Sequence, residues 1–175
     1  MLQLRKKIGK YTGPILARPD EGSLSASGFR GVIIETALET TMQPDQPFHA
    51  IEIGCAAGTS EGRSTYRVAR RILDRTNDRD SFVSIDFTPD YIARCREWMT
   101  AEDPRLPEAV EFHDGDSFTV LQTILERGEA LNYVLIDGGA IPEVNLQEFA
   151  MLIPHLADDG ILLVDDLQEI PPLPR

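Results

Sequence analysis

The stretch Ile51-Glu52-Ile53-Gly54-Cys55-Ala56-Ala57-Gly58 decides the fold. An apolar run enters a turn carrying glycines at 54 and 58, with an acid just ahead of them. Glycine lets backbone approach a ligand closely, and open α/β sheets place their ligands at the carboxyl ends of strands. Thr59-Ser60-Glu61 then offer the N-cap of a following helix. The arrangement suits a bound nucleoside. A dinucleotide fingerprint would read Gly-x-Gly-x-x-Gly with an acid roughly 20 positions on. Here the middle glycine is missing, and the next strand-end acid, Asp86, lies further along. An NAD-linked oxidoreductase on the same topology is therefore a third-ranked reading, and NAD binding would identify it.

Working outward, strand and helix patterns alternate. Helix is expected over 27–41, 60–75, 89–100, 117–127 and 143–156, and strand over 48–54, 81–86, 109–113, 131–137 and 160–165. Five strands separated by helices predict an α/β fold, a doubly wound Rossmann-like parallel sheet with flanking helices. Ile92, Cys95, Trp98 and Met99 fall at helical spacing and read as a core-facing stripe. Residues 1–26 hold Gly9, Gly13, Pro14, Pro19 and Gly22 and read as an irregular arm, leaving 27–175 as a single domain.

Composition agrees with one globular domain: 42% of the 175 residues are apolar, enough for a core, with no internal repeat. The formal charge of −12 repels phosphate backbones and anionic lipid, which argues against nucleic acid and membrane as partners. Arg5-Lys6-Lys7 and Arg70-Arg71 are too short to reverse that and read as solvated faces. Cys55 and Cys95 lack metal-type spacing, and no N-terminal apolar run of signal or membrane length is present, so a reduced, cytoplasmic setting is expected. Cys55, inside the glycine turn, reads as a small packing residue.

The order acid-x-Gly-x-x-x-Gly, followed by the acid that ends Phe82-Val83-Ser84-Ile85-Asp86, resembles the first two motifs of class I S-adenosylmethionine-dependent methyltransferases. The resemblance implies S-adenosylmethionine around Glu52, Gly54, Gly58 and Asp86. A carboxylate at the tip of a second strand can accept both ribose hydroxyls, and one beside the glycine turn can face the amino group of the methionine moiety directly or through water. The alternative is that Asp86 caps the helix beginning near Thr88 and Glu52 is a strand-end charge. His113-Asp114-Gly115-Asp116-Ser117-Phe118 stands where the third strand gives way to a helix. The resemblance implies that Asp116 meets the adenine amino group, with Ser117 and Phe118 beside the ring, and the same residues also serve as a helix start.

Two later stretches, Tyr133-Val134-Leu135-Ile136-Asp137-Gly138-Gly139 and Gly160-Ile161-Leu162-Leu163-Val164-Asp165-Asp166, resemble the catechol-type, metal-dependent O-methyltransferases. By that resemblance Asp137, Asp165 and Asp166 hold a divalent cation, with Asp166 where an amide is usual. Converging carboxylates suit a hard cation such as Mg²⁺, which would orient an acceptor hydroxyl and lower its pKa. Read on their own, Asp137 precedes a turn and Asp165-Asp166 open a loop. The lysine base of the catechol-type enzymes is replaced by Ala140, and the only lysines are Lys6, Lys7 and Lys10. His113 and His155 are the remaining bases, of which His113, ending a strand, is the better placed, alongside Asp137.

The resemblance covers 48–166, and the family's sixth strand and antiparallel seventh have no counterpart in this sequence. The strand Ile161–Val164 then becomes an apolar edge, for which a homodimer or a covering partner is expected. The function implied is methyl transfer from S-adenosylmethionine to a hydroxyl of a small-molecule acceptor, with a divalent cation. The alternative is a non-catalytic protein of the same fold that binds a nucleoside or a partner chain.

Overall fold

The computed structural model describes residues 26–55, 63–75, 77–139 and 141–165. Five strands, β1 (His49–Ile53), β2 (Ser81–Asp86), β3 (Glu111–Asp114), β4 (Leu131–Ile136) and β5 (Leu156–Val164), form one sheet in the order β3-β2-β1-β4-β5. Every pairing is parallel. The helices are α1 (Ala26–Thr41), α2 (Ser64–Arg75), α3 (Pro89–Glu102), α4 (Ser117–Leu125) and α5 (Pro142–Leu152). The α/β, doubly wound parallel sheet expected from the alternating pattern is the fold observed. The expected arm lies, apart from Ala26, outside the described residues.

Period-two alternation on the strands splits the core into two layers. Ala50, Phe82, Tyr133 and Leu135 pack with Ile34, Leu38, Val68, Cys95 and Met99, so α1, α2 and α3 cover one face. Ile51, Ile53, Val83, Ile85, Val134 and Ile136 pack with Leu121, Ile124 and Leu152, so α4 and α5 cover the other. Of the expected stripe on α3, Ile92, Cys95 and Met99 are buried, while Trp98 is half-buried against Tyr66, ring centroids 5.5 Å apart.

The last helix and strand differ most from expectation. A single helix over 143–156 is not formed: α5 stops at Leu152 and a 3-10 turn, Ile153–His155, follows, because Pro154 cannot continue an α-helical ladder. The fifth strand starts at Leu156, four residues earlier than expected, by pairing with Leu131 before an irregularity shifts the register to Tyr133↔Ile161. Gly160 belongs to that bulge, where a Cβ would stand 2.6 Å from the Leu131 carbonyl oxygen. Among the described residues β5 pairs with β4 alone.

The chain runs outward from β1 through β2 to β3 and then returns to lay β4 on the other side of β1. That reversal between β1 and β4 opens a crevice at the carboxyl end of the sheet, where such folds bind ligands.

Candidate functional site

Backbone hydrogen bonds continue past the strand ends and hold the loops of the crevice in place. Gly54 N–H donates to the Ile85 carbonyl (2.7 Å), Asp137 N–H to Ile53 (2.8 Å), Gly115 N–H to Asp86 (3.0 Å) and Asp165 N–H to Ile136 (2.9 Å). Gly54 has φ +89°, and a Cβ there would sit 2.2 Å from the Asp137 carbonyl oxygen. Its absent side chain therefore makes room first for the turn after β4. The other glycine of the opening motif, Gly58, lies outside the described residues.

A cleft of about 620 Å³ occupies this end of the sheet, within the range that holds a nucleoside-sized ligand. Gly54, Asp86, Asp116, Ser117 and Asp137 all line it, so the fold brings together five of the residues singled out from sequence. Asp86 is nearly buried at the tip of β2, and two backbone groups fix its carboxylate: Cys55 N–H donates to Oδ2 (3.0 Å) and Thr88 N–H to Oδ1 (2.7 Å). The second of these bonds falls on Thr88, the N-cap residue itself, so it precedes α3 without capping any N–H of the helix. Each oxygen retains a further lone pair for a ligand hydroxyl. Phe87, 79% exposed, and Ile141, 58% exposed, are large apolar side chains on the cleft lining.

Glu52 is placed differently from expectation. It alternates with Ile51 and Ile53 and so points into the α1–α3 layer, fully buried, and it does not line the cleft. The Ser64 hydroxyl donates to Oε1, and the hydroxyls of Thr65 (2.6 Å) and Ser84 (3.0 Å) to Oε2. Burial outweighs these three donors and pushes its pKa up to about 7. Its described partners are thus the first turn of α2 and strand β2. Cys55 is buried, with the neighbouring Cys95 and burial pushing its thiol up, which suits the packing role.

Asp116 is the N-cap of α4: its Oδ2 accepts from the backbone N–H and the hydroxyl of Thr119, both at 2.9 Å. The helix-start reading of this segment therefore holds. Ser117 turns its hydroxyl to Glu148 Oε1 (2.5 Å) on α5.

His113 is not in the cleft. It lies on β3, at the sheet edge, with Nε2 2.7 Å from Glu111 Oε1, and Arg127 makes two bonds to the same Glu111 carboxylate. Strand alternation puts His113 on the same side as Glu111, and β2 and β1 separate its strand from the one bearing Asp137, so the expected catalytic role is corrected. His155 ends the 3-10 turn before β5, at the opposite end of the sheet from the cleft.

The acids expected to hold a cation meet an arginine instead. Arg30 on α1 places one guanidinium nitrogen 2.8 Å from Asp165 Oδ2 and the other 3.9 Å from Asp137 Oδ2. Asp166 lies outside the described residues. Among the described residues no group of three or more His, Cys, Asp or Glu is arranged to hold a metal ion. A divalent cation between Asp137 and Asp165 would have to displace a guanidinium already bonded there, so these donors do not fit one as they stand.

Arg30, Phe87 and Glu148 were not singled out from sequence. Arg30 and Glu148 had a readable signal: each is a charge on an otherwise apolar helical row, Arg30-Ile34-Leu38 on α1 and Val144-Glu148-Leu152 on α5. Phe87 had a weaker one, an aromatic residue directly after the strand-end acid.

The fold and cleft define an α/β protein with a ligand crevice at its switch point. Residues 55–167 match the family model described as methyltransferase domain, and the chain belongs to that family. No curated protein sequence matches it. Among solved structures it is similar to MycE methyltransferase from the mycinamycin biosynthetic pathway in complex with Mg, SAH and mycinamycin VI, with 18% identity and a TM-score of 0.48 over 74% of this chain and 32% of that one. A crystal form of the same enzyme with Mg and SAH gives 17% identity and a TM-score of 0.48 over 76% of this chain and 33% of that one. The chain thus spans about a third of the length of those structures. Among the described residues no helix is long and apolar enough to cross a membrane.

Proposed function

We propose that the protein is an S-adenosylmethionine-dependent methyltransferase acting on a hydroxyl of a small-molecule acceptor. The observation that carries the reading is the Asp86 carboxylate, fixed by two backbone N–H groups at the tip of β2 on the wall of the switch-point cleft. A carboxylate held in this way accepts the paired hydroxyls of a ribose at little further cost in side-chain order. Phe87 and Ile141 supply apolar surface for a flat base.

When bound, the cofactor supplies a methyl group on a sulfonium, open to in-line attack by a nucleophilic oxygen. Asp137 lies across the cleft lining from Asp86, at the end of β4, and serves as acceptor for the proton that the hydroxyl gives up. Arg30 stands between that carboxylate and Asp165 and helps to position it. No step is assigned to a cation, because Arg30 already supplies positive charge between the two aspartates.

One observation favours a second reading, a protein that binds the nucleoside without transferring methyl: no histidine or lysine stands among the described residues lining the cleft. Calorimetric titration with S-adenosylmethionine and S-adenosylhomocysteine, with NAD as control, followed by a screen of hydroxylated acceptors, separates the two. Asp86→Ala is expected to weaken S-adenosylhomocysteine by about 1–3 kcal/mol through lost charge-assisted hydrogen bonds. Unchanged affinity removes the ribose assignment, and binding without turnover of any acceptor selects the second reading. Absence of binding by the native chain overturns both.

A further inference from the structure

The chain holds two cysteines, and the fold brings them together although they lie far apart in sequence. Cys55 stands in the turn after β1 and Cys95 in the middle of α3, and both belong to the core layer under α1, α2 and α3. Their thiols meet in a side-chain hydrogen bond, and Cys95 Sγ also lies 3.8 Å from Met99 Sδ, one turn further on. The two are not equally enclosed. Cys95 is fully buried, whereas Cys55 lines the cleft and keeps 6% of its surface exposed. A small molecule in the cleft therefore meets Cys55 first, with Cys95 directly behind it.

A single buried thiol fills space, and burial keeps it protonated and slow to react. A pair in contact adds a chemical property that packing does not use. Once one sulfur is oxidised, the other is already within reach, so the second step is intramolecular and the fold supplies its orientation. The pair is also tied to the carboxylate on the cleft wall. Cys55 N–H donates to Asp86 Oδ2 (3.0 Å), and Gly54 N–H, just before it, donates to the Ile85 carbonyl (2.7 Å). A disulfide draws two Cβ atoms to about 3.5–4.5 Å. Closing one here pulls the turn after β1 toward α3 and shifts the N–H that fixes Asp86.

We propose that Cys55 and Cys95 form an oxidisable pair, in which Cys55 meets a small disulfide entering the cleft and Cys95 resolves the adduct. The Cys55 thiolate attacks the incoming disulfide, forming a mixed disulfide and releasing one thiolate. The Cys95 thiolate then attacks Cys55 Sγ, forming the Cys55–Cys95 bond and releasing the second. Two electrons pass from the protein sulfurs to the external disulfide, and the two protons leave with the released thiols. The closed bond weakens the hold on a bound nucleoside by drawing the Cys55 N–H away from Asp86. That last effect rests on the S-adenosylmethionine reading of the cleft, whereas formation of the bond does not.

The test treats the native chain with glutathione disulfide in mildly alkaline buffer, where more of each thiol is ionised, and follows the product by mass spectrometry. The chain has no other cysteine, so both thiols should disappear with the loss of two hydrogens and without dimer formation, and dithiothreitol should restore them. Cys95→Ser should stop at a glutathione adduct on Cys55, and Cys55→Ser should leave Cys95 unmodified. Thiols that stay free until urea unfolds the chain overturn the proposal, as does a native chain that stops at a glutathione adduct. Equal reactivity of the two single-cysteine variants overturns the assigned order of attack. The native measurement needs no variant to fold. Calorimetry with S-adenosylhomocysteine then compares the reduced and oxidised native chain, and oxidation is expected to weaken binding by roughly threefold to tenfold, as the loss of one hydrogen bond would. Equal affinity overturns the coupling to Asp86. If the reduced chain does not bind S-adenosylhomocysteine, the nucleoside reading itself fails, while the mass measurement still decides whether the pair closes.

Discussion

Replacing Glu52 with glutamine should stabilise the protein above neutral pH and do much less in mild acid. The side chain is fully buried, and burial holds its pKa at about 7 against an ordinary 4.5, even though three hydroxyls donate to it. Below 4.5 the carboxyl is protonated in both folded and unfolded chains and its titration contributes nothing. Between 4.5 and about 7 the unfolded chain releases the proton while the folded one keeps it, so stability falls as pH rises, and it levels off above the folded value. A tenfold change in proton affinity is about 1.4 kcal/mol, so the full loss is about 3 kcal/mol, of which about 1 kcal/mol is already present at pH 5. Glutamine has the shape of the neutral acid and does not titrate, and the hydroxyls of Ser64, Thr65 and Ser84 can rotate to meet its amide. Urea denaturation at pH 5 and pH 8 should therefore show the gap between Glu52→Gln and the native protein widening by about 2 kcal/mol in favour of the variant. A gap that does not change with pH would refute the reasoning. S-adenosylhomocysteine affinity should survive the substitution, because Glu52 faces α2 and β2 and does not line the cleft.

Two further substitutions probe how the site is held. Arg30→Met leaves Asp137 and Asp165 adjacent without their shared guanidinium, so Mg²⁺ should raise the melting temperature of the variant at millimolar concentration and leave that of the native chain unmoved. Equal stabilisation of both proteins would mean that Arg30 does not occupy the cation's place. Gly54→Ala forces a Cβ to 2.2 Å from the Asp137 carbonyl oxygen at φ +89° and should cost about 3 kcal/mol or more in a denaturant titration, whereas an unchanged midpoint would show that the turns after β1 and β4 can separate.

Much of the architecture was legible because it rests on local signals. Each strand is a short apolar run bounded by turn residues, as in Phe82-Val83-Ser84-Ile85-Asp86, and helices between such runs leave only a parallel sheet. Boundaries were lost where a local signal was under-read. Pro154 ends α5, and the pairing of Leu156 with Leu131 across a bulge depends on a carbonyl from a strand far away in sequence, which only Gly160 hinted at.

The site divides along the same physical line. Gly54, Asp86, Asp116 and Asp137 were legible because the carboxyl ends of parallel strands lie on one edge of the sheet by construction, so acids at those ends converge whatever the helices do. Glu52 and His113 do not line the cleft, because nearness to a strand end is not orientation: period-two alternation sends Glu52 to the opposite face from Ile51 and Ile53. For the cation expectation the described residues hold only part of the expected set, since Asp166 lies outside them, and Arg30 stands between the other two acids. Acids at the ends of β4 and β5 look uncompensated when the sequence around them contains no cation, and such a cluster reads as a metal site. Their counter-charge comes from α1, where Arg30 interrupts an apolar helical row. A charge placed there is costly unless something waits for it, as Glu148 shows equally on α5. In this fold the charges that interrupt apolar helical rows, Arg30 on α1 and Glu148 on α5, reach the cleft lining just as the acids at the strand ends do.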